Sequence, residues 1–271
     1  MLINFENCPV TVSQTDFAAD LELFASSITI SETLPIETLA HLGSDSLSGG
    51  YPVEPPNGTI DVDFYISGSN DITPFLELKK ASYEQADLID VTVGPYTVED
   101  AVLTSYQITA QSNDIITANV GLDYYGELSQ GAAVSQAFEA GKLAYGANST
   151  GTFSLLGFST APFSFSYSLN QGFEIIRELG NYEVDVALWR DGNETISVEG
   201  YDLPTGVVGA PRSTASSCWF FPQTGRLEFV LKNNCGTEYA TIAVTGDIAS
   251  RDITVSEDNV VNGTIEVVSP L

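Results

Sequence analysis

The sequence is poor in basic residues, and this scarcity excludes a surface that binds duplex nucleic acid. Of its 271 residues, 36 are acidic and only 9 are Lys or Arg, so the formal net charge is −27. A surface that binds duplex nucleic acid needs a basic patch, which this composition does not supply. Two interpretations of the acidity stay open. It serves solubility or a saline habitat, or it forms a surface that DNA passes without adhering, because like charges oppose close approach.

Cysteine and histidine are too few for a disulfide framework or a zinc site. The three cysteines, Cys8, Cys218 and Cys235, are odd in number and scattered, whereas a disulfide framework uses an even set at regular spacings. A structural zinc site needs about four ligands, and His41 is the single histidine. We therefore expect free thiols, assembly in a reducing cytoplasm, and neither a metal nor another cofactor.

Long apolar runs are also missing, although a hydrophobic fraction of 43% is sufficient for packed cores. No run of about 18 apolar residues occurs, so we expect no membrane insertion. The first ten residues, MLINFENCPV, lack the basic and apolar regions of a secretory signal. We therefore interpret the four Asn-X-Ser/Thr triplets as turn sequences rather than as glycosylation sites.

Catalytic motifs are absent as well. The sequence has no Gly-x-Ser-x-Gly, phosphate-binding loop, dinucleotide fingerprint or His-Glu-x-x-His. Acid pairs could serve a glycosidase, but the acids are so numerous that no pair stands out. The acidic segments 112–114 and 257–259 lack the regular ligand spacing of a calcium loop and are better explained as turns. We predict that the protein is not an enzyme.

The most regular stretch of the sequence is residues 101–126, which have the pattern of a β-hairpin. Leu103, Tyr106 and Ile108 mark one arm, a polar turn covers residues 111–114, and apolar residues alternate along the return arm. Such alternation about an Asn/Asp/Ser turn is typical of a hairpin.

Residues 246–269 repeat this hairpin without a gap. The shift is a constant 145 residues, as between Ile108 and Ile253. Two earlier blocks also recur in the same order: residues 162–180 match the segment that ends at Gly43 with a shift of 137, and 195–203 match 59–67 with a shift of 136. Matched blocks in constant order indicate a duplicated domain. We predict a first domain at 1–126, a linker at 127–151 and a second domain at 152–271.

The pattern of residues predicts further elements in each half. Strands are expected at 21–31, 59–67 and 88–93, a helical turn at 34–43, a long Pro/Gly loop at 44–58 and a helix at 71–86. The linker could hold a short helix at 132–140. An insertion of about nine residues follows Leu203, and residues 211–235 have the pattern of an aromatic hairpin rather than of a helix.

This order of elements resembles the tail tube proteins of long-tailed bacteriophages. The likeness is carried by a turn ending in Leu42-Gly43, the Pro/Gly loop, the strand at 59–67, a helix, and the segment LTSYQIT that starts at Leu103. The resemblance implies a mainly β fold with two tandem, similar β-barrel or sandwich domains, each with at most one short helix. The second half departs from the pattern, because it has no visible helix.

The resemblance also implies a function. Such a chain would be a structural virion protein of the viral tail, assembled in the host cytoplasm, whose homotrimers form pseudo-hexameric rings that stack into a conduit for DNA ejection. Its partners would be its own copies and other tail proteins such as the tape measure, terminator, baseplate or sheath. Genomic DNA would pass through without specific binding, and no cofactor would be needed.

Within this hypothesis the acidic strand residues are candidates for the wall of the channel, and the long loop is a candidate for contacts between stacked rings. The candidate lumen-facing acids are Asp61, Asp63, Asp123, Glu199 and Glu266. The candidate ring-stacking residues are Ser44, Gly49, Gly50, Tyr51, Pro52, Pro55 and Pro56.

Two other hypotheses remain open at the level of sequence. One is a duplicated β-sandwich module for binding or adhesion to a carbohydrate or surface receptor, with Trp219, Phe220 and Phe221 as an exposed aromatic platform. The other is a different tail component, such as a tube-end or hub protein.

Overall fold

The structure is a computed structural model. It describes residues 10–14, 17, 20–40, 47–68, 71–80, 84–111, 114–131, 150–155, 158–160, 163–177, 184–201, 224–232, 238–255 and 261–271. The chain is built mainly from β-strands, as the sequence predicts.

Nine strands and a short helix belong to the first half. They are β1 (Val10–Ser13), β2 (Leu21–Thr33), β3 (Ile36–Ala40), β4 (Leu47–Pro52), β5 (Asn57–Tyr65), α1 (Thr73–Glu77), β6 (Ile89–Val93), β7 (Tyr96–Gln111), β8 (Thr117–Tyr124) and β9 (Ser129–Gln130). Seven strands belong to the second half: β10 (Thr150–Leu155), β11 (Phe158–Thr160), β12 (Ser164–Ile176), β13 (Val186–Tyr201), β14 (Thr224–Lys232), β15 (Glu238–Val255) and β16 (Val261–Pro270).

Six strands of the first half close into a barrel. In the order β1, β2, β5, β8, β7 and β6, each pairs antiparallel with the next, and β6 returns to β1. Alternation along each strand divides inside from outside. On β5, for example, Ile60, Val62 and Phe64 are fully buried, whereas Asp61 and Asp63 are exposed. The barrel therefore has an apolar interior and a polar outer surface.

The second half repeats this pairing order. Strands β12, β13, β16, β15, β14 and β10 pair in turn, in the places that β2, β5, β8, β7, β6 and β1 take in the first half. β10 then pairs with β11 so that Leu155 lies opposite Phe158, as Val12 of β1 lies opposite Leu21 at the start of β2. Strands β11 and β12 together therefore correspond to β2.

The registers of the two hairpins match residue by residue. Leu103 lies opposite Leu122 in the first half, and Ile248 lies opposite Val267 in the second. Both second-half residues are displaced by 145, the shift that relates the two hairpins in sequence. In both hairpins the register then slips by one residue directly after this pair. A bulge retained at the same place indicates one unit used twice, while the domain limits 1–126, 127–151 and 152–271 stay predictions.

One strand pairing joins the two halves into a continuous sheet. Residues 105–111 of β7 pair antiparallel with residues 164–170 of β12. At this join the core is aromatic: the rings of Phe75 and Tyr106 stack with centroids 5.0 Å apart, and Tyr167 meets Tyr106 edge-on at 6.4 Å. Each such contact contributes about 0.5–1.5 kcal/mol beyond the burial of area. Most of the buried apolar residues of both halves form one cluster, and Ala86, Val102, Val184 and Ala187 form a second, smaller one.

The helix predicted at 71–86 is much shorter in the structure. Only Thr73–Glu77 are helical, with Pro74 in the first turn as expected. Farther along, Gln85 forms a β-bridge with Leu188 of the second half, and a residue held in this extended pairing cannot continue a helix. Tertiary pairing therefore overrides the local helical pattern.

The helical turn predicted at 34–43 is wrong at residues 36–40, and the loop predicted at 44–58 is wrong at residues 47–52 and 57–58. Ile36–Ala40 form strand β3, which pairs antiparallel with β4, Leu47–Pro52, so the two segments are the arms of one hairpin. Residues 41–46, which include His41, Gly43 and Ser44, lie outside the described residues. The β-branched Ile36 and Thr38 favour extended backbone, a signal that the apolar spacing obscured.

Other predicted segments are described only in part. The two ends of the predicted linker lie in strands β9 and β10, and its predicted helix at 132–140 lies outside the described residues. The return arm of the predicted aromatic hairpin is strand β14. The rest of that hairpin, with Trp219, Phe220 and Phe221, and all three cysteines also lie outside them.

Candidate functional site

The candidate site is one face of the sheet that runs through both halves. Because opposite residues of antiparallel strands share a face, each row of partners can be followed across the sheet. One row contains a residue from each of eight strands: Ser27, Asp63, Asn119, Gln107, Ser168, Thr195, Val268 and Asp247. This face is the outer surface of the first barrel and continues without a break onto the second half.

We call the side chains of this row and its neighbouring rows the polar face. Most of its side chains on these eight strands are Ser, Thr, Asn, Gln, Asp or Glu, and none of the members given below is basic. The same rows also contain the apolar Phe24, Val102 and Pro270, and on the next strand, β14, Arg226 lies on the same side of the sheet. Its members are Ser27, Thr29, Ser31, Thr59, Asp61, Asp63, Tyr65, Thr117, Asn119, Gly121, Asp123, Ser105, Gln107, Thr109, Ser164, Ser166, Ser168, Asn170, Asn193, Thr195, Ser197, Glu199, Thr264, Glu266, Val268, Ser250 and Asp247.

Three of the candidate acids are neighbours on this face. Asp61 lies opposite Gly121, with Asp63 two residues along β5 and Asp123 two residues along β8. The Asn119 amide donates a hydrogen bond of 2.8 Å to the Asp63 carboxylate, which fixes the orientation of that carboxylate. A Cβ at Gly121 would overlap the Ser105 hydroxyl, whereas Asp61 Oδ1 would lie at an ordinary contact distance of 3.4 Å, so glycine at this position makes room for Ser105.

The proximity of these acids affects the protonation of Asp123. Partial burial raises the pKa of Asp123 above its ordinary value, and the charge of Asp61 raises this pKa further. The ionised form of Asp123 is therefore disfavoured by the fold.

The remaining two candidate acids lie on the same face in the second half. Glu199 of β13 is opposite Ser164 and Thr264, and Glu266 of β16 is opposite Ser197 and Ser250. Glu199 corresponds to Asp63, which lies 136 residues earlier. The structure thus brings the five acids together as two groups on one face, one in each half.

The candidate ring-stacking residues lie in and after β4. Gly49, Gly50, Tyr51 and Pro52 belong to that strand, and Pro55 and Pro56 follow it before β5 begins. The hairpin of β3 and β4 exposes apolar side chains: Leu34 is 47%, Ile36 56% and Val53 51% exposed. Such a cluster on a short hairpin is a common feature of a contact surface. Sequence reasoning missed it, because a loop was expected here.

Sequence reasoning also missed a polar cluster that holds the first half to the second. After α1, Lys79 Nζ lies 3.1 Å from the carboxylate of Glu194, a side chain that is almost fully buried. The Tyr167 hydroxyl donates to the same carboxylate at 3.3 Å, and burial raises the pKa of this tyrosine strongly. Because the Lys79 side chain is 35% exposed, solvent screens this pair and it contributes less than a fully buried one. Together the two contacts to Glu194 fix the position of the segment after α1.

A second set of bonds extends this attachment. The buried amide of Gln171 accepts from the Lys80 backbone N–H at 2.7 Å and donates to the Leu103 carbonyl at 3.3 Å. Residues 84–86, which we call the strap, then lie along β13: Ala86 N donates to Ala187 O at 2.8 Å and Trp189 N to Glu84 O at 2.9 Å. The halves are therefore joined by side chains as well as by strand pairing.

Within the part of the chain that the structure describes, no cluster of three or more His, Cys, Asp or Glu side chains is suited to a metal ion. In the same part, no helix has the length and apolar character needed to cross a bilayer. Comparison with protein-family models and with curated proteins finds no match for this chain.

Proposed function

We propose that the chain is a tail tube subunit of a long-tailed bacteriophage. Its copies would assemble as trimeric, pseudo-hexameric rings, and the rings would stack into the conduit through which genomic DNA leaves the virion. Its other partners would be tail proteins such as the tape measure, terminator, baseplate or sheath.

The observation that carries this proposal is the polar face. A face of eight strands presents hydroxyls, amides and carboxylates and no positive charge. Proteins hold DNA chiefly by pairing Lys and Arg with phosphates. A wall without these cations, and with acids on it, lets a duplex slide past because it offers phosphate no favourable contact.

The repeated barrel supports the ring. A heterologous contact closes when the rotation between units divides a full turn, and two similar units per chain supply six from three copies. Three eight-stranded faces would contribute 24 strands. At about 4.8 Å between neighbouring strands, an untilted ring of this kind measures roughly 37 Å between opposite backbones. Strand tilt widens it further, so a duplex would fit with room for side chains and water.

Negative-stain electron microscopy of the purified full chain, over a range of protein concentrations, tests the proposal. We expect stacked rings or tubes with a stain-filled central opening and pseudo-six-fold end views. Persistent monomers at every concentration, above all monomers with affinity for glycans, would contradict it. Assemblies without a central opening would contradict it equally.

A further inference from the structure

Two strand edges lack partners within the part of the chain that the structure describes. The edge of β2 at residues 27–33 faces away from β5, and β1 pairs only with residues 21–23 of that strand. The edge of β15 at residues 250–255 faces away from β16, and β14 pairs with β15 only as far as Asp247. Unpaired strand edges readily pair with another chain.

The counterparts of these two edges are paired with each other inside the molecule. Residues 27–33 of β2 correspond, with the shift of 137, to residues 164–170 of β12. Residues 250–255 of β15 correspond, with the shift of 145, to residues 105–110 of β7. Residues 105–111 and 164–170 form the antiparallel pairing that joins the halves. The β7–β12 pairing is therefore formed within the molecule, and the corresponding edges of β15 and β2 are the two sides of a second, equivalent pairing.

We propose that β15 of one copy pairs antiparallel with β2 of the next copy, in the register of the β7–β12 pairing. Since Ser168 lies opposite Gln107 and Ser166 opposite Thr109, the repeat shifts place Ser31 opposite Asp252 and Thr29 opposite Thr254 of the neighbouring copy. The polar face then continues from chain to chain without a break, as it continues from half to half within one chain.

The sequence at the two edges fits this register. In the join within the chain, the buried residues Leu169 and Tyr106 lie opposite each other. The same shifts bring Glu32 opposite Arg251. An acidic and a basic residue thus replace an apolar pair together, one on each side of the contact. A pair of opposite charges favours one register over neighbouring ones and tolerates water in the free chain.

The β3–β4 hairpin supports the same contact independently. It follows β2 in the chain, and its Ile36 corresponds, with the shift of 137, to Phe173 in the second half. Pro52, which lies opposite Ile36, takes the place of Trp189, which lies opposite Phe173. Those two residues are only partly exposed, because the strap bonds along β13 at this point and Ala86 packs with Ala187 and Phe173. Ile36 and Val53 have no such cover and are more than half exposed. A neighbouring copy seated on β2 would cover them, as the first half covers the second.

This contact is heterologous, so each copy uses one edge and offers the other to the next copy. The inference deepens the proposed function and rests on it only for the closure of three copies into a ring. The edge pairing itself rests on the repeated registers.

Disulfide trapping between copies tests the register. Four full-length variants, each with one new cysteine, are made with Cys8, Cys218 and Cys235 replaced by Ser: Thr29→Cys, Thr254→Cys, Ser31→Cys and Asp252→Cys. Thr29→Cys mixed with Thr254→Cys, and Ser31→Cys mixed with Asp252→Cys, are oxidised and separated on a denaturing gel. Directly opposite residues have the Cα separation that a disulfide requires. We expect disulfide-linked dimers in both mixtures and few in any single variant alone.

Ser27→Cys mixed with Asp252→Cys is the matched control. It keeps both strands but is out of register by four residues, about 13 Å along the strand, so its yield should be severalfold lower. Circular dichroism checks that each variant folds. If the chain does not fold without its native cysteines, Cys8, Cys218 and Cys235 are retained. The dimer yield of the oxidised parental chain is then subtracted from that of each mixture.

The outcomes separate the inference from the proposed function. Equal yields in matched and out-of-register mixtures, or dimers of Thr29→Cys with itself, would overturn the edge pairing, even if micrographs show tubes. Matched dimers from a protein that forms only open filaments would support the edge pairing and contradict the tube. Matched dimers together with tubes support both.

Discussion

At the scale of single residues, the polar face is defined by which side chains it excludes. Lys79, Lys80 and Arg226 all have acidic partners within 3.1 Å; Arg226 lies on β14, on the same side of the sheet and next to the margin of that face. The acids, by contrast, include a group on β5 and β8, where burial raises the pKa of Asp123 and the charge of Asp61 raises it further. These three cations therefore contact carboxylates of the protein itself, whereas Asp61, Asp63 and Asp123 lie beside one another.

Reversing charge on the polar face should make assemblies of the protein bind DNA. In assemblies of the variant Asp61→Lys/Asp63→Lys, we expect retention of fluorescent duplex DNA, measured by co-sedimentation, because each chain gains two cations at a position that the parental protein keeps acidic. Retention should fall at least about tenfold between 50 and 200 mM salt, since phosphate contacts release counterions. The parental assemblies should retain little DNA at either salt concentration.

The control for this prediction is Glu77→Lys/Glu99→Lys. Both residues are exposed and lie outside the polar face, and the change in net charge is the same. If the control retains as much DNA as Asp61→Lys/Asp63→Lys, net charge rather than the polar face governs binding, and the assignment of these acids to a channel wall is wrong.

At the scale of elements, repetition made the sequence more informative than periodicity alone. The hairpin of β7 and β8 was predictable because its buried side alternates through Tyr106, Ile108, Val120 and Leu122. The corresponding hairpin of β15 and β16 was found from the constant shift in sequence. In the structure the two hairpins have the same register and the same bulge. Local pattern and tertiary pairing agree in these hairpins, so prediction was accurate.

The elements that were predicted wrongly from the sequence are those whose backbone conformation depends on tertiary contacts. The apolar spacing after Pro74 is helical, but the strap belongs to the edge of β13. The glycines and prolines of β4 indicate a loop, but pairing with β3 holds them extended. The polar face itself could be predicted within each half, whereas its continuity through β7 and β12 could not. No local pattern specifies that β7 of the first half pairs with β12 of the second.

One glycine makes the close approach of β2, β5 and β8 possible. At Gly58 of β5, a Cβ would overlap the backbone carbonyl of Ser31 and the ring of Tyr124, whose hydroxyl donates to the same carbonyl at 2.8 Å. We expect Gly58→Ala to lower the free energy of unfolding by about 1–3 kcal/mol, the usual cost of overpacking. Urea unfolding followed by circular dichroism measures this change.

Gly126→Ala is the matched control, because a Cβ at Gly126 has no atom within 4 Å. Its free energy of unfolding should stay within about 0.5 kcal/mol of the parental value. Equal effects of the two substitutions would show that backbone freedom, and not the contact with Ser31 and Tyr124, is why glycine occurs at position 58.

At the scale of the whole molecule, the acidity that in the proposed function would keep DNA from adhering would also oppose assembly. Each chain carries a formal charge of −27, and the proposed trimer would bring three such charges together around one opening. Apolar contacts and strand pairing at the β2 and β15 edges must therefore overcome a long-range repulsion. Salt weakens that repulsion, since the Debye length falls from about 10 Å at 0.1 M to about 3 Å at 1 M.

Assembly should accordingly require less protein as the salt concentration rises. If screening contributes about 1.4 kcal/mol per contact, the protein concentration at which light scattering detects assemblies falls about tenfold. The variant Asp61→Asn/Asp63→Asn should assemble at lower salt than the control Glu77→Gln/Glu99→Gln, because in the proposed tube only the first pair would face its counterparts across the opening. A neutral solute at equal osmolality controls for effects on solvent. If salt instead raises the concentration needed, ion pairs such as Glu32 with Arg251 dominate the contact, and repulsion across the polar face is not what limits assembly.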